Sequence, residues 1–209
     1  MKGEKMEKWN KTADKETIEK TIKSLKENGI NVLFVETKEE AKKKVLGLVP
    51  ERAEVFDMTS VTLETLGVLL EISESGNYDS IRNKLNSMNR QTQSREMRKL
   101  GASPDYAIGS CHAITEDGKI MIASNTGSQL PAYVYGAGKV IFVAGAQKIV
   151  KNLDQGFKRM YEYTLPLESE RAKKAYGIPG SAVNKILIVN KEIQPDRINL
   201  IIVNEVLGF

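Results

Sequence analysis

The chain has 209 residues, of which 41% are hydrophobic and 28% are charged, the composition of an ordinary globular protein. Its 31 basic and 27 acidic residues leave a formal net charge of only +4, and the two signs are interleaved along the sequence. These features argue against nucleic-acid binding, and the apolar runs are too short to span a bilayer. Because the sequence opens without an export signal, we expect a soluble, cytoplasmic protein.

A single cysteine, Cys111, and a single histidine, His112, limit the redox and metal chemistry available to the chain. One cysteine cannot form an internal disulfide, and it cannot supply the four thiolates of an iron–sulfur cluster. A structural zinc site would need more ligands than these two residues offer. We therefore expect no metal site and no cofactor bound by this chain alone. Within a β-prone run, both residues are more typical of buried structural positions than of catalytic groups.

The first half of the sequence alternates between predicted helices and strands. Apolar residues at helical spacing predict an amphipathic helix over residues 14–28, and the run NVLFV at 31–35 predicts a strand. Thr37 and Glu40 have the spacing of a capping box that begins a second helix, which Pro50 ends. The next predicted elements are a strand at 53–56, a short helix at 60–70 and a long helix from Ile81 to near Gly101.

The second half is richer in strands. The β-prone run DYAIGSCHAIT, the turn EDG and the run KIMIAS predict a hairpin across residues 105–124. The elements predicted after it are a buried strand at 140–145, helices at 152–163 and 167–176, and strands at 185–190 and 198–205. This order favours an α/β fold in which a mixed central sheet carries helices on both faces. In such sheets, ligands collect where strands end in loops.

Seven short segments follow one another in an order shared with a known family. They are TLETLG (62–67), ITEDG (114–118), SNTGSQ (124–129), VAGAQKIV (143–150), YTLPLESER (163–171), AYGIPGSAVNKILIVNKE (175–192) and NEVLGF (204–209). On this ordered set, the chain resembles the LUD domain of the lactate utilisation protein C (LutC/YkgG) family. The signature region covers residues 55–209 and the N-terminal helices at 12–48 match loosely, so we expect one LUD-like domain over residues 1–209.

The resemblance implies a fold similar to the NagB/RpiA/CoA-transferase group and a role in oxidising lactate or a related 2-hydroxy acid. The family's lactate complex combines a LUD protein with iron–sulfur subunits, so any redox centre would lie in such partners. Some relatives carry clustered cysteines near the C-terminal strands, where this chain has none. That departure leaves a second function open, a stand-alone binding protein or a transferase- or isomerase-like enzyme for a phosphosugar or an acyl-CoA. Whether the chain is itself an enzyme, and whether it forms a homo-oligomer, stays open.

Three loops at strand ends are the candidate ligand-binding segments. The first is the hairpin tip with Thr115, Glu116, Asp117 and Gly118. An Asp-Gly pair is also common in turns that only face water. The resemblance favours a functional role, and Glu116 is the candidate catalytic residue because related CoA transferases use a glutamate nucleophile and a carboxylate can serve as nucleophile or base.

The other two loops offer hydrogen-bond donors and a cation. They contain Asn125, Gly127, Ser128 and Gln129 in one case, and Gly145, Gln147 and Lys148 in the other. Glycine-containing loops with hydroxyls and free backbone amides suit a phosphate or carboxylate, and a lysine after a buried strand lies at the ligand-binding edge. We therefore expect the three loops to converge on one pocket for an anionic small molecule. The basic stretch from Arg82 to Lys99 is interpreted as a solvated face.

Overall fold

The computed structural model of the chain describes residues 8–209. Within that range the helices include α1 (Lys15–Glu27), α2 (Lys38–Leu48), α3 (Val61–Thr65), α4 (Val68–Glu74), α5 (Ile81–Ser87), α6 (Ser94–Ala102), α7 (Leu153–Arg159) and α8 (Leu165–Tyr176). The strands are β1 (Asn31–Val35), β2 (Glu54–Asp57), β3 (Asp79–Ser80), β4 (Tyr106–Gly109), β5 (Ala113–Thr115), β6 (Ile120–Ser124), β7 (Lys139–Gly145), β8 (Ile149–Val150), β9 (Lys185–Val189) and β10 (Ile198–Val203). Further helical turns lie at Ala132–Gly136 and Met160–Thr164, both π-helical, and at Ala146–Lys148.

Local signals begin and end the first helix. The Asp14 carboxylate accepts the Thr17 backbone N–H at 2.8 Å, which satisfies one of the free donors at the start of α1. At the other end Gly29 adopts a left-handed conformation with a φ of 77°, which an L side chain would resist. The helix predicted over residues 14–28 is therefore confirmed.

Six strands form a fully parallel sheet, the main sheet, in the order β1-β10-β7-β4-β2-β3. Its central strand β7 pairs with β10 on one side and with β4 on the other. Alternate side chains of β7 enter two different cores: Val140, Phe142 and Ala144 lie in one, and Ile141 and Val143 lie in the other. Burial on both faces explains the uninterrupted apolar run that predicts this strand.

A second sheet has four strands in the order β8-β5-β6-β9. Strands β5 and β6 form an antiparallel hairpin, β9 runs antiparallel to β6, and β8 runs parallel to β5. Ile114, Ile120 and Ile122 of this sheet share a core with Val140 and Phe142, so the second sheet lies over one face of the main sheet. The predicted α/β class is confirmed, and the antiparallel pairs occupy a sheet of their own.

Helices cover the remaining faces. On the other side of the main sheet, α2, α3 and α4 bury Ala41, Val45, Leu63 and Val68. Helix α1 packs beside the second sheet, while α7 and the π-helical turn after it cover the outer face of that sheet. Among residues 8–209, no helix combines the length and the apolar character that crossing a membrane requires.

The predicted hairpin across residues 105–124 is wrong in its first part. Strand β4 belongs to the main sheet, where it runs parallel between β2 and β7, and the hairpin itself begins at Ala113. Residues 110–112 carry the chain from one sheet to the other. A continuous β-prone run does not reveal this change of sheet, because both of its halves are buried.

The two helices predicted after residue 60 are each broken. Gly67, with a φ of 67°, separates α3 from α4. The long helix from Ile81 breaks between α5 and α6, where the Asn89 side chain accepts the backbone N–H of Gln91 and Thr92. An asparagine that satisfies neighbouring amides in this way competes with the helical hydrogen bonds.

Gly145→Ala should destabilise the protein by roughly 1–3 kcal/mol, since overpacking a close contact costs about that much. An added Cβ would lie 2.1 Å from Gln147 Oε1 and 2.4 Å from the Glu205 carbonyl oxygen. Gly47→Ala is the matched control, because Gly47 is exposed in α2 and no other atom of residues 8–209 lies within 4 Å of an added Cβ. That change should instead stabilise by roughly 0.5–1 kcal/mol. Urea denaturation measures both, and an undiminished stability of Gly145→Ala would contradict the close approach.

Candidate anion-binding site

A cavity of about 1070 Å³ opens where the main sheet meets the second sheet. Its wall includes the segments that follow β2, β4 and β6, namely residues 58–62, 110–112 and 125–129, together with Lys148 after β7. Strands β2, β4 and β7 are parallel, so their carboxyl ends lie along one edge of the main sheet. This is the edge at which open α/β sheets bind their ligands.

Lys148 is a cation in this wall, and it is only 1% exposed. Its Nζ donates hydrogen bonds to Thr62 Oγ1 and to Ser110 Oγ, each at 3.0 Å. Within residues 8–209, no carboxylate forms an ion pair with it. Burial lowers the pKa of Lys148 to about 7, and the Arg159 guanidinium also lowers it, whereas the Cys111 thiol opposes the shift.

A second cation, Arg159, is buried behind the cavity wall. Its Nη1 donates to the His112 carbonyl oxygen at 2.6 Å and to Thr164 Oγ1 at 3.2 Å, while Nε and Nη2 have no hydrogen-bond partner in the described part of the chain. Burial lowers the pKa of Arg159 to about 10, so the guanidinium stays charged at neutral pH. Two cations near one cavity, one of them only half satisfied, make the interior strongly attractive to an anion.

Cys111 and His112 line the cavity without the features of catalytic groups. Burial raises the pKa of the Cys111 thiol to about 11, which leaves no reactive thiolate at neutral pH. The His112 side chain is only partly buried, but its Nδ1 accepts the Ala123 backbone N–H at 3.1 Å. Burial, with Lys148 and Arg159 nearby, lowers the pKa of His112 far below 6.5 and keeps the ring neutral. The structural interpretation of the pair is supported.

Arginines from two helical regions add charge at the cavity. They are Arg82, Arg90, Arg98 and Arg171. Arg82 pairs with the buried Asp57 at 2.8 Å and Arg171 pairs with Glu168 at 2.7 Å, so part of this charge is already neutralised. The sequence interpretation of residues 82–99 as a solvated face therefore misses three cavity residues. Helical spacing gives no sign of them, because the break at Asn89 determines how α5 and α6 lie.

Two of the three predicted loops meet at this cavity. Asn125, Gly127, Ser128 and Gln129 line it together with Lys148. The loop is held by Ser124, whose hydroxyl oxygen accepts the Gly127 backbone N–H at 2.8 Å. Gly145 and Gln147 lie behind the wall, where Gln147 Nε2 donates to the Leu207 carbonyl oxygen at 2.9 Å and so fixes the C-terminal segment.

The third loop, at the hairpin tip, does not join them. Glu116 pairs with Lys20 of α1 at 2.7 Å, and Asn28 donates to the carbonyl oxygens of Asp117 and Gly118, both at 3.0 Å. Thr115 is fully buried and hydrogen-bonds to Asp117. His112 and Ser124 lie at the cavity end of the hairpin, so its turn must lie at the opposite end. The predicted convergence of three loops is wrong for Thr115–Gly118, and a catalytic role for Glu116 stays a prediction.

The described part of the chain offers no set of side chains that could ligate a metal ion. Within residues 8–209, no three side chains of the His, Cys, Asp and Glu types come together as ligands.

The chain matches a known family model, and its fold is similar to solved structures of other proteins. A family model described as the LUD domain matches residues 18–203. The chain is similar to a DUF162 family protein from Deinococcus radiodurans, with 12% identity over 90% of this chain and 97% of that chain, and a TM-score of 0.55. It is also similar to a D-ribose-5-phosphate isomerase in complex with phospho-erythronic acid, with 13% identity, coverage of 80% and 93%, and a TM-score of 0.41. No curated protein matches the sequence.

The lowered pKa of Lys148 should make the free energy of unfolding rise between pH 7 and pH 9. The folded pKa of about 7 lies below the ordinary value of 10.5, so the unfolded chain binds more protons in this window. The contribution should approach about 1 kcal/mol per pH unit and be absent in Lys148→Met. Urea denaturation of both proteins across the window measures it. The Cys111 thiol titrates in both, so parallel pH slopes would contradict a buried, desolvated amine.

Proposed function

This chain belongs to the LUD domain family, a domain associated with lactate-utilisation proteins, and from that premise we propose that its cavity binds the organic anion on which the protein acts. In this proposal the chain is a subunit or accessory protein in the oxidation of lactate or a related 2-hydroxy acid and works with iron–sulfur partners. Membership of the LutC/YkgG branch is part of the same proposal.

The observation that carries the proposal is the state of Lys148. A buried ammonium group loses its hydration, and two hydroxyl oxygens at 3.0 Å replace only part of it. A carboxylate that enters the cavity supplies the missing charge partner through a charge-assisted hydrogen bond. The loop at 125–129 adds hydroxyl and amide groups on the same wall. A 2-hydroxy acid or its oxidation product has both the anionic group and the neighbouring oxygen that this arrangement can bind.

The resemblance to the lactate utilisation proteins implies iron–sulfur partners, and the proposed reaction needs an electron acceptor of that kind. Oxidation of a 2-hydroxy acid to a 2-oxo acid releases two electrons, which need an acceptor. The chain's single cysteine cannot hold a cluster, and burial keeps that thiol protonated. On the resemblance, we assign the electron acceptor to iron–sulfur subunits and the binding of the organic anion to this chain.

The size of the cavity supports a second candidate function. A volume of about 1070 Å³ reaches the upper end of the range for pockets that hold drug-sized ligands, and a three-carbon acid fills little of it. The arginines at residues 90 and 98 are available to further anionic groups. A stand-alone binding protein, or a transferase- or isomerase-like enzyme, for a phosphosugar or an acyl-CoA would use that space.

Lys148→Met should weaken binding of a carboxylate ligand by about 1.5–3 kcal/mol, roughly 10- to 150-fold, since a charge-assisted contact is lost. Glu116→Gln is the control, because Glu116 pairs with Lys20 outside the cavity wall and its loss should leave affinity unchanged. Thermal shift and calorimetric titration with lactate, pyruvate, oxalate, ribose 5-phosphate and coenzyme A compare the two candidate functions. Affinity that is indifferent to Lys148→Met for every ligand would overturn the proposal.

The protein purified alone should show no visible absorption band and should not reduce an electron-accepting dye with lactate. A visible absorption band and lactate-dependent dye reduction should both require cysteine-rich subunits, such as ones encoded next to its gene, because the electron acceptor is assigned to them. Ultraviolet–visible spectroscopy and a lactate-dependent dye assay, run with and without those subunits, test this. A flavin or iron–sulfur band in the protein expressed alone would contradict the division of labour.

A further inference from the structure

We propose that Lys148 is a nucleophile that forms an imine with the carbonyl carbon of a 2-oxo acid in the cavity. The inference rests on the proposed function, because the same cavity must first hold the acid. It goes further in assigning a covalent step to a residue that simple anion binding would use only as a charge.

The hydrogen bonds around Nζ are compatible with a nucleophilic amine. The Thr62 hydroxyl donates to the Leu207 carbonyl oxygen at 3.2 Å, and the Ser110 hydroxyl donates to Thr62 Oγ1 at 3.3 Å or to the Cys111 carbonyl oxygen at 3.4 Å. With their hydrogens used elsewhere, both hydroxyl oxygens act as acceptors toward Nζ. A neutral amine can therefore keep both N–H bonds satisfied without using its lone pair.

The surroundings favour that neutral amine. Burial is the main cause that lowers the pKa of Lys148 to about 7, and the titratable groups that face it are the Cys111 thiol, which opposes the shift, and Arg159, which lowers the pKa further. The neighbouring His112 ring stays neutral, because its own pKa is lowered. At neutral pH a substantial fraction of the Lys148 side chains is then deprotonated, whereas an exposed lysine is almost wholly protonated. Desolvation beside another cation is an established way to activate a lysine for Schiff-base chemistry.

A structural role for a buried cation looks different in this protein. Arg197, only 3% exposed, donates to the carbonyl oxygens of Ala132, Tyr133 and Ala137 at 3.0–3.1 Å and pairs with the Glu192 carboxylate at 2.8 Å. Its charge is neutralised, and each of its nitrogens has an acceptor. Among the described residues, Lys148 has neither a carboxylate nor a carbonyl partner of this kind, and it lies on the cavity wall. Arg197 therefore supports the fold, whereas Lys148 is available to a ligand in the cavity.

The step itself needs no oxidant. The Nζ lone pair attacks the ketone carbon and forms a C–N bond, and the carbonyl oxygen becomes the hydroxyl of a carbinolamine. That oxygen then leaves as water with the two hydrogens that Nζ carried, and a C=N bond remains. Proton uptake converts the imine to an iminium ion, whose positive charge attracts the acid's own carboxylate. The product of 2-hydroxy acid oxidation has the ketone that this step requires.

The experiment incubates the protein with pyruvate and sodium borohydride, which reduces an imine to a stable secondary amine, and locates the adduct by peptide mass mapping. At pH 7, labelling of Lys148 should exceed that of Lys15, whose side chain is 90% exposed, by at least about a hundredfold, because burial leaves far more of the Lys148 amine neutral. Labelling should rise with pH through about 7. Lactate, which lacks a ketone, should give no adduct. Lys148→Arg keeps a cation and should abolish the adduct.

The possible outcomes distinguish imine formation at Lys148 from simple anion binding in the cavity. An adduct concentrated on Lys148 supports the proposal. If pyruvate stabilises the protein in thermal shift but leaves no adduct on Lys148, the imine is overturned while anion binding stands. If pyruvate neither stabilises the protein nor labels Lys148, the imine is overturned. The binding of this acid that the proposed function requires is then overturned as well. Equal labelling of Lys148 and Lys15 also overturns the imine. The wild-type protein decides these cases even if Lys148→Arg does not fold.

Discussion

The cavity depends on one constraint: within residues 8–209, the only hydrogen-bond partners of the buried Lys148 amine are two hydroxyl groups. Its partners come from distant parts of the chain, Thr62 at the start of α3 and Ser110 after β4. Hydroxyl oxygens offset only part of the hydration that an ammonium group loses on burial, so its charge stays under-compensated. The free-energy cost of removing water from the ammonium group arises when the protein folds and not when the anion binds. This preorganisation favours binding.

The short link between the two sheets organises both buried cations. Ser110 accepts a hydrogen bond from Lys148, and two residues later the His112 carbonyl oxygen accepts one from Arg159. Between them the buried Cys111 side chain anchors the link in the core shared by the two sheets. The position at which the chain leaves the main sheet thus fixes where both charges lie. A shift of one residue in this crossing would exchange the side chains that face the core and the cavity.

Local sequence signals predict most helices and strands, because caps and apolar spacing act within a few residues, as at Asp14. They do not predict the change of sheet at Ser110, since both halves of the run DYAIGSCHAIT are apolar and only long-range pairing separates them. The sequence places Lys148 after a strand but cannot show its burial, which depends on hydroxyl groups distant in sequence. The sequence also associates Glu116 with the site, because it cannot show the direction of the hairpin, whose turn lies at the end away from the cavity.

The two roles assigned to Lys148 require opposite protonation states, and the structure accommodates both. Thr62 and Ser110 present acceptors to Nζ whether it is an ammonium ion or an amine, because their own hydrogens are directed elsewhere. A bound anion favours the ammonium form and raises the pKa of Lys148, so plain anion affinity falls as pH rises above about 7. Imine formation increases over the same range, since it consumes the amine. A pKa near neutrality therefore lets one side chain attract a 2-oxo acid by charge and then react with it, which a fully charged or fully neutral lysine would not do.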